Sequence, residues 1–315
     1  MVLKRRQREE LDLFKGSLIG CAIGDSLGSE FEGTSEFVST SDLAFSGRWT
    51  DDTHMMIGVT ESLIENKGFD GRSMALTFIR HYEEEPWRGY GSGPPQVFKL
   101  IKSGVSWKDA SKRLFGGAGS LGNGAAMRAA PIGLLYHDDP IMLRLVAYDS
   151  SQITHAHESA KEGAAIESHA VAISVNTRLS REPQETHPLD ILSELKRFAR
   201  GDVYRRKFDS MEELLTEPSK SKVRSKLGNG VEASESVPTA TYCFLRNINS
   251  FKEALLYAVS LGGDTDTIAA MTGAVSGAYH GLAAIPEQWR SALEQKDYIE
   301  SLAEKLWHVK TKGTA

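Results

Sequence analysis

The sequence predicts an all-α protein, on three observations. Alternating apolar and polar runs between turn residues, which mark β-strands, are missing from the chain. Glycine-rich loops at 88–95 and 116–124 divide the chain into helix-sized pieces. Apolar residues recur at helical spacing in the segments 11–21, 55–64, 73–82, 107–114, 160–173, 189–199, 239–245, 251–261 and 288–307.

Local signals support several of these helices in chain order. The segment 55–64 follows the polar residues 50–53, which are favoured at helix N-caps, and it stops near Gly68. A further helix is predicted after 264–267, where the small residues of 268–278 would let a neighbouring helix pack closely. The segment 180–235 is the most polar, so we expect it to be a peripheral region of helices and loops.

The composition is ordinary for a soluble globular chain. Charged residues make up 25% and hydrophobic residues 40%, and the net charge is −5. We expect neither a nucleic-acid surface, which needs a basic excess, nor a membrane span, which needs about 20 apolar residues. The basic start at 1–6 is followed at once by acidic residues, which does not fit a targeting signal. Cys21 and Cys243 are expected to be buried thiols in a reducing compartment, so we expect a cytoplasmic protein.

Two acidic clusters, at 50–53 and 264–267, carry the strongest functional signal. A single Asp or Thr before an apolar run is usually only a helix cap. Each cluster, however, holds more carboxylates than a cap uses, and neighbouring carboxylates repel unless a cation lies between them. Hard oxygen donors suit Mg²⁺ or Mn²⁺ better than Zn²⁺. The clusters therefore predict two halves of one metal site, which would join both ends of the chain in a single domain, 1–315.

A glycine loop at 122–124 is a weaker signal. It precedes a predicted helix that contains Met127 and Arg128, so its backbone N–H groups would face an anion at a helix N-terminus. The loop lacks the Gly-Lys-Ser/Thr ending of the Walker phosphate loop, and it does not match a dinucleotide fingerprint. Taken alone, such a loop is more often only a turn.

Six motifs follow one another along the chain. They are GSLIGCAIGDSLG (16–28), TDDT (50–53), GNGAAMR (122–128), TH (154–155), SVPTA (236–240) and LGGDTDTIA (261–269). Together they resemble the ADP-ribosylglycohydrolase family over most of the chain, and their order and joint presence make the resemblance specific. The resemblance implies a compact, single-domain, orthogonal helix bundle with two Mg²⁺ ions, or Mn²⁺ as the substitute, in an ADP-ribose cleft.

The resemblance also implies roles for individual residues. Glu32 matches a glutamate that acts as general base in part of the family, with Glu30 as the alternative. Asp25 is expected to be a structural cap or a loop hydrogen-bonding residue rather than a catalyst. The implied metal ligands are Thr50, Asp51, Asp52, Asp264, Asp266 and Thr267. The implied substrate-binding residues are Gly89, Tyr90, Gly91, Ser120, Gly122, Asn123, Gly124, Met127 and His155.

One position departs from the family pattern. Serine-directed relatives stack an aromatic residue on adenine just after the position of Ser120, whereas this chain has Leu121 there. Phe115 or Tyr90 is the alternative partner for adenine.

The function implied is magnesium-dependent hydrolysis of the bond between ADP-ribose and an acceptor. The resemblance does not identify the acceptor, which is a serine or arginine side chain, poly-ADP-ribose or O-acetyl-ADP-ribose. The presence of Glu32 slightly favours the serine, polymer and acetyl-ester substrates over arginine. The expected partner is thus an ADP-ribosylated protein or an ADP-ribose-bearing small molecule. The alternatives are a catalytically silent ADP-ribose-binding or structural relative and, with less support, a two-metal phosphoesterase.

Overall fold

The computed structural model describes residues 2–41, 43–180 and 186–313, with side chains from residue 5 onward. Within these ranges the regular secondary structure is helical. The β-type pairings described there are isolated bridges, Thr34 with Gly263 and Gly122 with Glu232. The all-α prediction is therefore confirmed. The α-helices are α1 (Val2–Gly28), α2 (Asp51–Asn66), α3 (Gly71–Glu84), α4 (Gly93–Lys102), α5 (Trp107–Ala110), α6 (Ala130–Leu135), α7 (Pro140–Gln152), α8 (Glu158–Ser180), α9 (Pro188–Phe198), α10 (Asp202–Thr216), α11 (Lys220–Leu227), α12 (Ala233–Arg246), α13 (Phe251–Ser260), α14 (Thr265–His280), α15 (Glu287–Ala292) and α16 (Lys296–Lys312).

The close pairing of α1 with α14 organises the core. A methyl group added at Gly20 would lie 2.2 Å from the carbonyl oxygen of Gly273, and one added at Gly24 would lie 2.0 Å from that of Ala269. Only residues without a side chain allow this backbone approach. The prediction that the run 268–278 packs closely against another helix is thus confirmed, and the partner is α1.

Three helices were not predicted, and a proline lies in the first turn of each. Helix α4 contains Pro94, α6 contains Pro131 and α7 begins at Pro140. Proline is tolerated there because the first N–H groups of a helix have no partner within the helix. A proline that starts a helix therefore has the same local sequence signature as one that ends a helix.

Two predicted helices are interrupted. The segment 107–114 is the short helix α5 followed by 3-10 turns. The segment 288–307 contains α15 and α16, because Gln295 adopts a left-handed conformation with φ 54° between them. The loop 122–124 does not open an α-helix either: a 3-10 turn follows it, and α6 begins only at Ala130. The predicted helix N-terminus at the glycine loop is therefore wrong.

The polar segment 180–235 contains α9, α10 and α11, and residues 181–185 lie outside the described ranges. Phe208 and Leu214 of α10 are buried, so this region is packed onto the core by one face. Cys21 and Cys243 are both free and buried, as predicted. In the parts of the chain that the structure describes, no helix has the length and apolar character that a membrane crossing requires.

Candidate active site

The first acidic cluster lies at the N-terminus of α2. Thr50 is the N-cap, and Asp51 and Asp52 form the first turn. Asp25, fully buried on α1, accepts hydrogen bonds from the backbone N–H groups of Thr50 and Thr53, both at 3.0 Å, and from the Thr53 hydroxyl at 2.6 Å. Asp25 therefore holds the cluster in place as a hydrogen-bond acceptor, a structural role as predicted, although it lies within a helix rather than at a cap or in a loop.

The second acidic cluster lies at the N-terminus of α14. It follows Gly262 and Gly263, which have φ values of 66° and 82°, a region that glycine adopts without strain. Asp264 is the N-cap residue, and Asp266 accepts a hydrogen bond from the backbone N–H of Thr267 at 2.8 Å. The pairing of α1 with α14 brings this helix end beside α2, so the two clusters line one cleft.

The floor of the cleft fits a divalent cation. Carboxylate oxygens of Glu32, Asp264 and Asp266 lie within 4.8 Å of one another. Asp52 Oδ1 is buried and has no hydrogen-bond partner among the described residues. Burial and the neighbouring carboxylates raise the pKa of Asp51 to about 8 and that of Asp266 to about 9. Such a concentration of uncompensated acidic groups is what a bound cation neutralises.

Glu32, rather than Glu30, belongs to this cluster. Glu32 is an exposed residue that lines the cleft, and it follows a short 3-10 turn, Ser29–Phe31. Glu30 lies within that turn and does not line the cleft among the described residues. The backbone here is fixed by a hydrogen bond from the N–H of Gly33 to the carbonyl of Gly263 at 2.8 Å. The loop that carries Glu32 is thus anchored to the second acidic cluster.

Asn123 joins the glycine loop to the acidic floor. Its Nδ2 donates hydrogen bonds to the Ser236 hydroxyl, at 3.0 Å, and to Asp264 Oδ2. The side chain therefore orients a predicted metal ligand, which leaves the backbone of Gly122–Gly124 to face the cleft. Ser236 lies in the motif 236–240, but its link to Asn123 depends on tertiary contacts that spacing alone does not reveal.

His155 forms the wall behind the glycine loop. A methyl group added at Gly124 would lie 3.0 Å from His155 Nε2, so the loop packs directly on the imidazole. His155 Nδ1 lies 2.7 Å from the Thr154 hydroxyl oxygen. Burial and the nearby Arg128 cation lower the pKa of His155 to about 3, so the ring is neutral at physiological pH.

The loop after α3 supplies another wall. Gly89 and Gly91 line the cleft, but Tyr90 does not. The Tyr90 hydroxyl oxygen lies 2.9 Å from His54 Nδ1, and its ring packs edge-on against Tyr82. Tyr90 therefore supports the loop from behind.

The structure brings almost all of the predicted site residues to one cleft. Tyr90 and Ser120 are the exceptions, and the Ser120 hydroxyl accepts a hydrogen bond from the N–H of Gly122 at 3.2 Å. The predicted residues that line the cleft are Glu32, Thr50, Asp51, Asp52, Gly89, Gly91, Gly122, Asn123, Gly124, Met127, His155, Asp264, Asp266 and Thr267. Their chemical roles stay predictions.

Residues outside the predicted set complete the cleft. Met55, Pro94 and Val231 also line it. The loop of Val231 lies at the end of the polar segment 180–235: the Val231 carbonyl accepts the N–H of Asn123 at 2.9 Å, and the Asn229 carbonyl accepts that of Asp264 at 2.8 Å. No periodicity or charge pattern signalled this role, because the contacts use backbone atoms.

Fold and cleft together define an all-α protein with a carboxylate-floored site. The chain belongs to the ADP-ribosylglycohydrolase family, whose model matches residues 6–315. It is therefore a hydrolase of that family.

Its relatives agree with this assignment. The chain is 34% identical to the human (Homo sapiens) ADP-ribosylhydrolase ARH3, over 95% of this chain and 94% of that protein. It is 26% identical to the ADP-ribosylarginine hydrolase Tri1 of Serratia proteamaculans, over 96% of this chain and 81% of that protein. A solved structure described as an ADP-ribosylglycohydrolase-related protein complex superposes with a TM-score of 0.76 at 26% identity, and the match covers 96% of this chain and 99% of that one.

Proposed function

We propose that this chain hydrolyses the bond between ADP-ribose and an acceptor, in a magnesium-dependent reaction that releases ADP-ribose. The observation that carries the proposal is the acidic floor of the cleft. Glu32, Asp264 and Asp266 converge there, and a buried oxygen of Asp52 has no partner among the described residues. Glycine loops on either side, at 89–91 and 122–124, leave room for a phosphorylated sugar to approach the backbone.

The metal ligands we propose come from both helix ends. They are Thr50, Asp51, Asp52, Asp264, Asp266 and Thr267. Two Mg²⁺ ions held by this set, with Mn²⁺ as the substitute, would polarise the attacking water and orient the ribose hydroxyls. The oxygen-only donor set fits these hard cations.

Glu32 is the proposed general base. Its carboxylate takes a proton from water as the new bond forms between the water oxygen and the anomeric carbon. The bond from that carbon to the acceptor breaks, and the acceptor leaves with the electron pair and gains a proton. Because the sugar passes through an oxocarbenium-like state, carboxylates beside it also stabilise the developing positive charge.

The glycine loop and His155 are proposed to hold the diphosphate. The N–H of Gly122 is donated to Ser120 and that of Asn123 to the Val231 carbonyl, so the loop donor we propose for a phosphate oxygen is the N–H of Gly124. The neutral His155 adds a hydrogen bond without a charge that would compete with the metal ions. Arg128 lies behind this loop, and its fully buried guanidinium donates a hydrogen bond to the Gly124 carbonyl at 3.1 Å. Arg128 thus supports the loop from within the core.

Phe115 is the proposed adenine partner. This residue is 60% exposed, whereas the Tyr90 hydroxyl is engaged with His54. A methyl group added at Gly93, next to the Pro94 that lines the cleft, would lie 4.0 Å from the Phe115 ring. Phe115 is therefore close to the cleft rim and available for stacking.

For the acceptor, we propose a serine-linked, polymeric or acetyl-ester substrate. The support is the position of Glu32 and the higher identity to the ARH3 proteins, 34%, than to the arginine-directed Tri1, 26%.

The test measures free ADP-ribose released from ADP-ribosylated serine, ADP-ribosylated arginine, poly-ADP-ribose and O-acetyl-ADP-ribose, with Mg²⁺ and with chelator. Asp264→Ala is the control, which should release none. Magnesium-dependent release from one substrate supports the proposal and identifies the acceptor. ADP-ribose binding without release from any substrate would favour a silent relative, and free phosphate as the product would favour a phosphoesterase.

A further inference from the structure

Arg88 makes an unusually complete set of contacts just before the cleft loop. Its guanidinium donates to both carboxylate oxygens of Glu294, at 2.8 and 2.9 Å, and to Glu85 at 2.5 Å. It also lies 3.7 Å from the centre of the Trp49 ring and donates to the Trp49 carbonyl at 3.1 Å. Only 9% of the Arg88 side chain is exposed, so these contacts are largely shielded from water. A planar guanidinium held by two carboxylates and one aromatic face has little freedom to move.

The contacts of Arg88 converge on the peptide group that precedes the first acidic cluster. The carbonyl of Trp49 accepts from Arg88, and the N–H of the same peptide, on Thr50, donates to Asp25 at 3.0 Å. A buried cation and a buried carboxylate thus hold the two ends of one peptide group. Because Thr50 is the N-cap of α2, this peptide sets the direction in which Asp51 and Asp52 enter the cleft.

Glu294 joins the C-terminal part of the chain to the same point. Its backbone carbonyl accepts the indole N–H of Trp49 at 3.1 Å, and its backbone N–H donates to the Gly47 carbonyl at 3.0 Å. On the other side of Arg88, a methyl group added at Gly89 would lie 3.7 Å from Asp51 Oδ1. One guanidinium therefore connects three segments: the link between α15 and α16, the residues that lead into α2, and the cleft loop.

We propose that the Arg88–Glu294 pair is a positioning device for the active site, which fixes both the first acidic cluster and the Gly89 loop. Its effect on metal and ADP-ribose binding rests on the proposed function, whereas its effect on the backbone does not. Neither residue touches the reacting atoms. The pair acts through the peptide before Thr50 and through the residue after Arg88. Loss of the pair should therefore loosen two specific segments, 47–53 and 86–92, rather than the whole protein.

The test compares Arg88→Lys with Arg144→Lys. Arg144 is a matched control because it lies 3.8 Å from the Phe198 ring, donates to the Phe198 carbonyl and pairs with Glu162, all away from the cleft. Amide hydrogen exchange by mass spectrometry should become faster in 47–53 and 86–92 for Arg88→Lys, on the order of tenfold, and not for Arg144→Lys. Mn²⁺ affinity, followed by electron paramagnetic resonance, and ADP-ribose affinity, followed by calorimetry, should each weaken about tenfold for Arg88→Lys alone.

Each outcome bears on the proposal. Unchanged exchange in 47–53 in a folded Arg88→Lys protein would overturn it. Faster exchange with unchanged affinities would reduce the pair to a stability contact and also overturn it. If Arg88→Lys does not fold, Glu294→Gln, which keeps the side-chain shape and removes the charge, carries the same test. If the wild type binds neither Mn²⁺ nor ADP-ribose, the proposed function fails, and the exchange comparison alone decides the positioning role.

Discussion

Replacing Gly20 with alanine should destabilise the protein, although alanine is the better helix former. The added methyl group would lie 2.2 Å from the carbonyl oxygen of Gly273, whereas ordinary contacts begin at 3.4 Å. Helices α1 and α14 must therefore separate by roughly 1.2 Å, the difference between these distances, at that point. The obstacle is a backbone atom, so no side-chain rotation relieves it.

The expected loss follows from two opposing effects. Overpacking a core costs typically about 1–3 kcal/mol, and a clash with backbone lies at the upper end of that range. The gain in helix propensity from glycine to alanine offsets about 1 kcal/mol. The net loss is about 2 kcal/mol. With an unfolding entropy of about 2.1 cal/mol/K per residue over 315 residues, the melting temperature should fall by roughly 3 °C.

Differential scanning calorimetry measures this shift, and Gly93→Ala is the matched control. A methyl group at Gly93 would meet its nearest neighbour at 3.5 Å, an ordinary contact. Its substitution should change the melting temperature little, because the helix-propensity gain of at most about 1 kcal/mol is opposed by the cost of a Cβ in the residue before Pro94. An unchanged or higher melting temperature for Gly20→Ala would refute the inference that the α1–α14 contact tolerates no side chain.

Three further predictions concern the cleft. Glu32→Gln should slow turnover about 100-fold or more while leaving ADP-ribose affinity nearly unchanged, because a general base acts on the water. Steady-state kinetics measures the loss of turnover, and calorimetry measures the ADP-ribose affinity. His155→Ala should weaken ADP-ribose binding about tenfold by removing a hydrogen bond, as measured by calorimetry; an unchanged affinity would remove His155 from the site. Without metal, thermal stability should fall as pH rises from about 6.5 to about 9. The pKa values of Asp51 and Asp266, ordinarily 3.8, are raised to about 8 and 9, so the folded state holds protons in this window that the unfolded state has lost. Below about 6.5, the lowered pKa of the buried His155 acts in the opposite direction. Thermal melts across pH should show this slope, and added Mg²⁺ should flatten it.

Much of the fold was predictable because its helices carry strong local signals. Helices α2 and α8 combine long apolar periodicity with clear boundaries, and the small residues of α14 indicated a close helix contact. Helices α4 and α7 were missed because a proline in a first turn resembles a helix end. The break at Gln295 was also hidden, since the left-handed conformation there occurs at a non-glycine residue.

The site was predictable where its chemistry lies in contiguous motifs. The clusters around Asp52 and Asp264 are recognisable in the sequence because each has more carboxylates than a helix cap requires. Two contacts were not predictable, because each depends on residues from distant parts of the chain. They are the hydrogen bond from Asn123 to Ser236 and the contact of the Tyr90 hydroxyl with His54. A motif specifies which residues come together, but which side chain faces the ligand is decided by packing.

The pairing of α1 with α14 also constrains how the protein is made. The Ser17 hydroxyl donates to the Ala274 carbonyl across 257 positions of sequence. At about 5–20 residues per second, a ribosome needs roughly 13–50 s to synthesise that interval, during which α1 lacks its main partner. Half of the acidic floor therefore emerges long before the other half. The complete cleft therefore cannot assemble until α14 has been synthesised and has packed against α1.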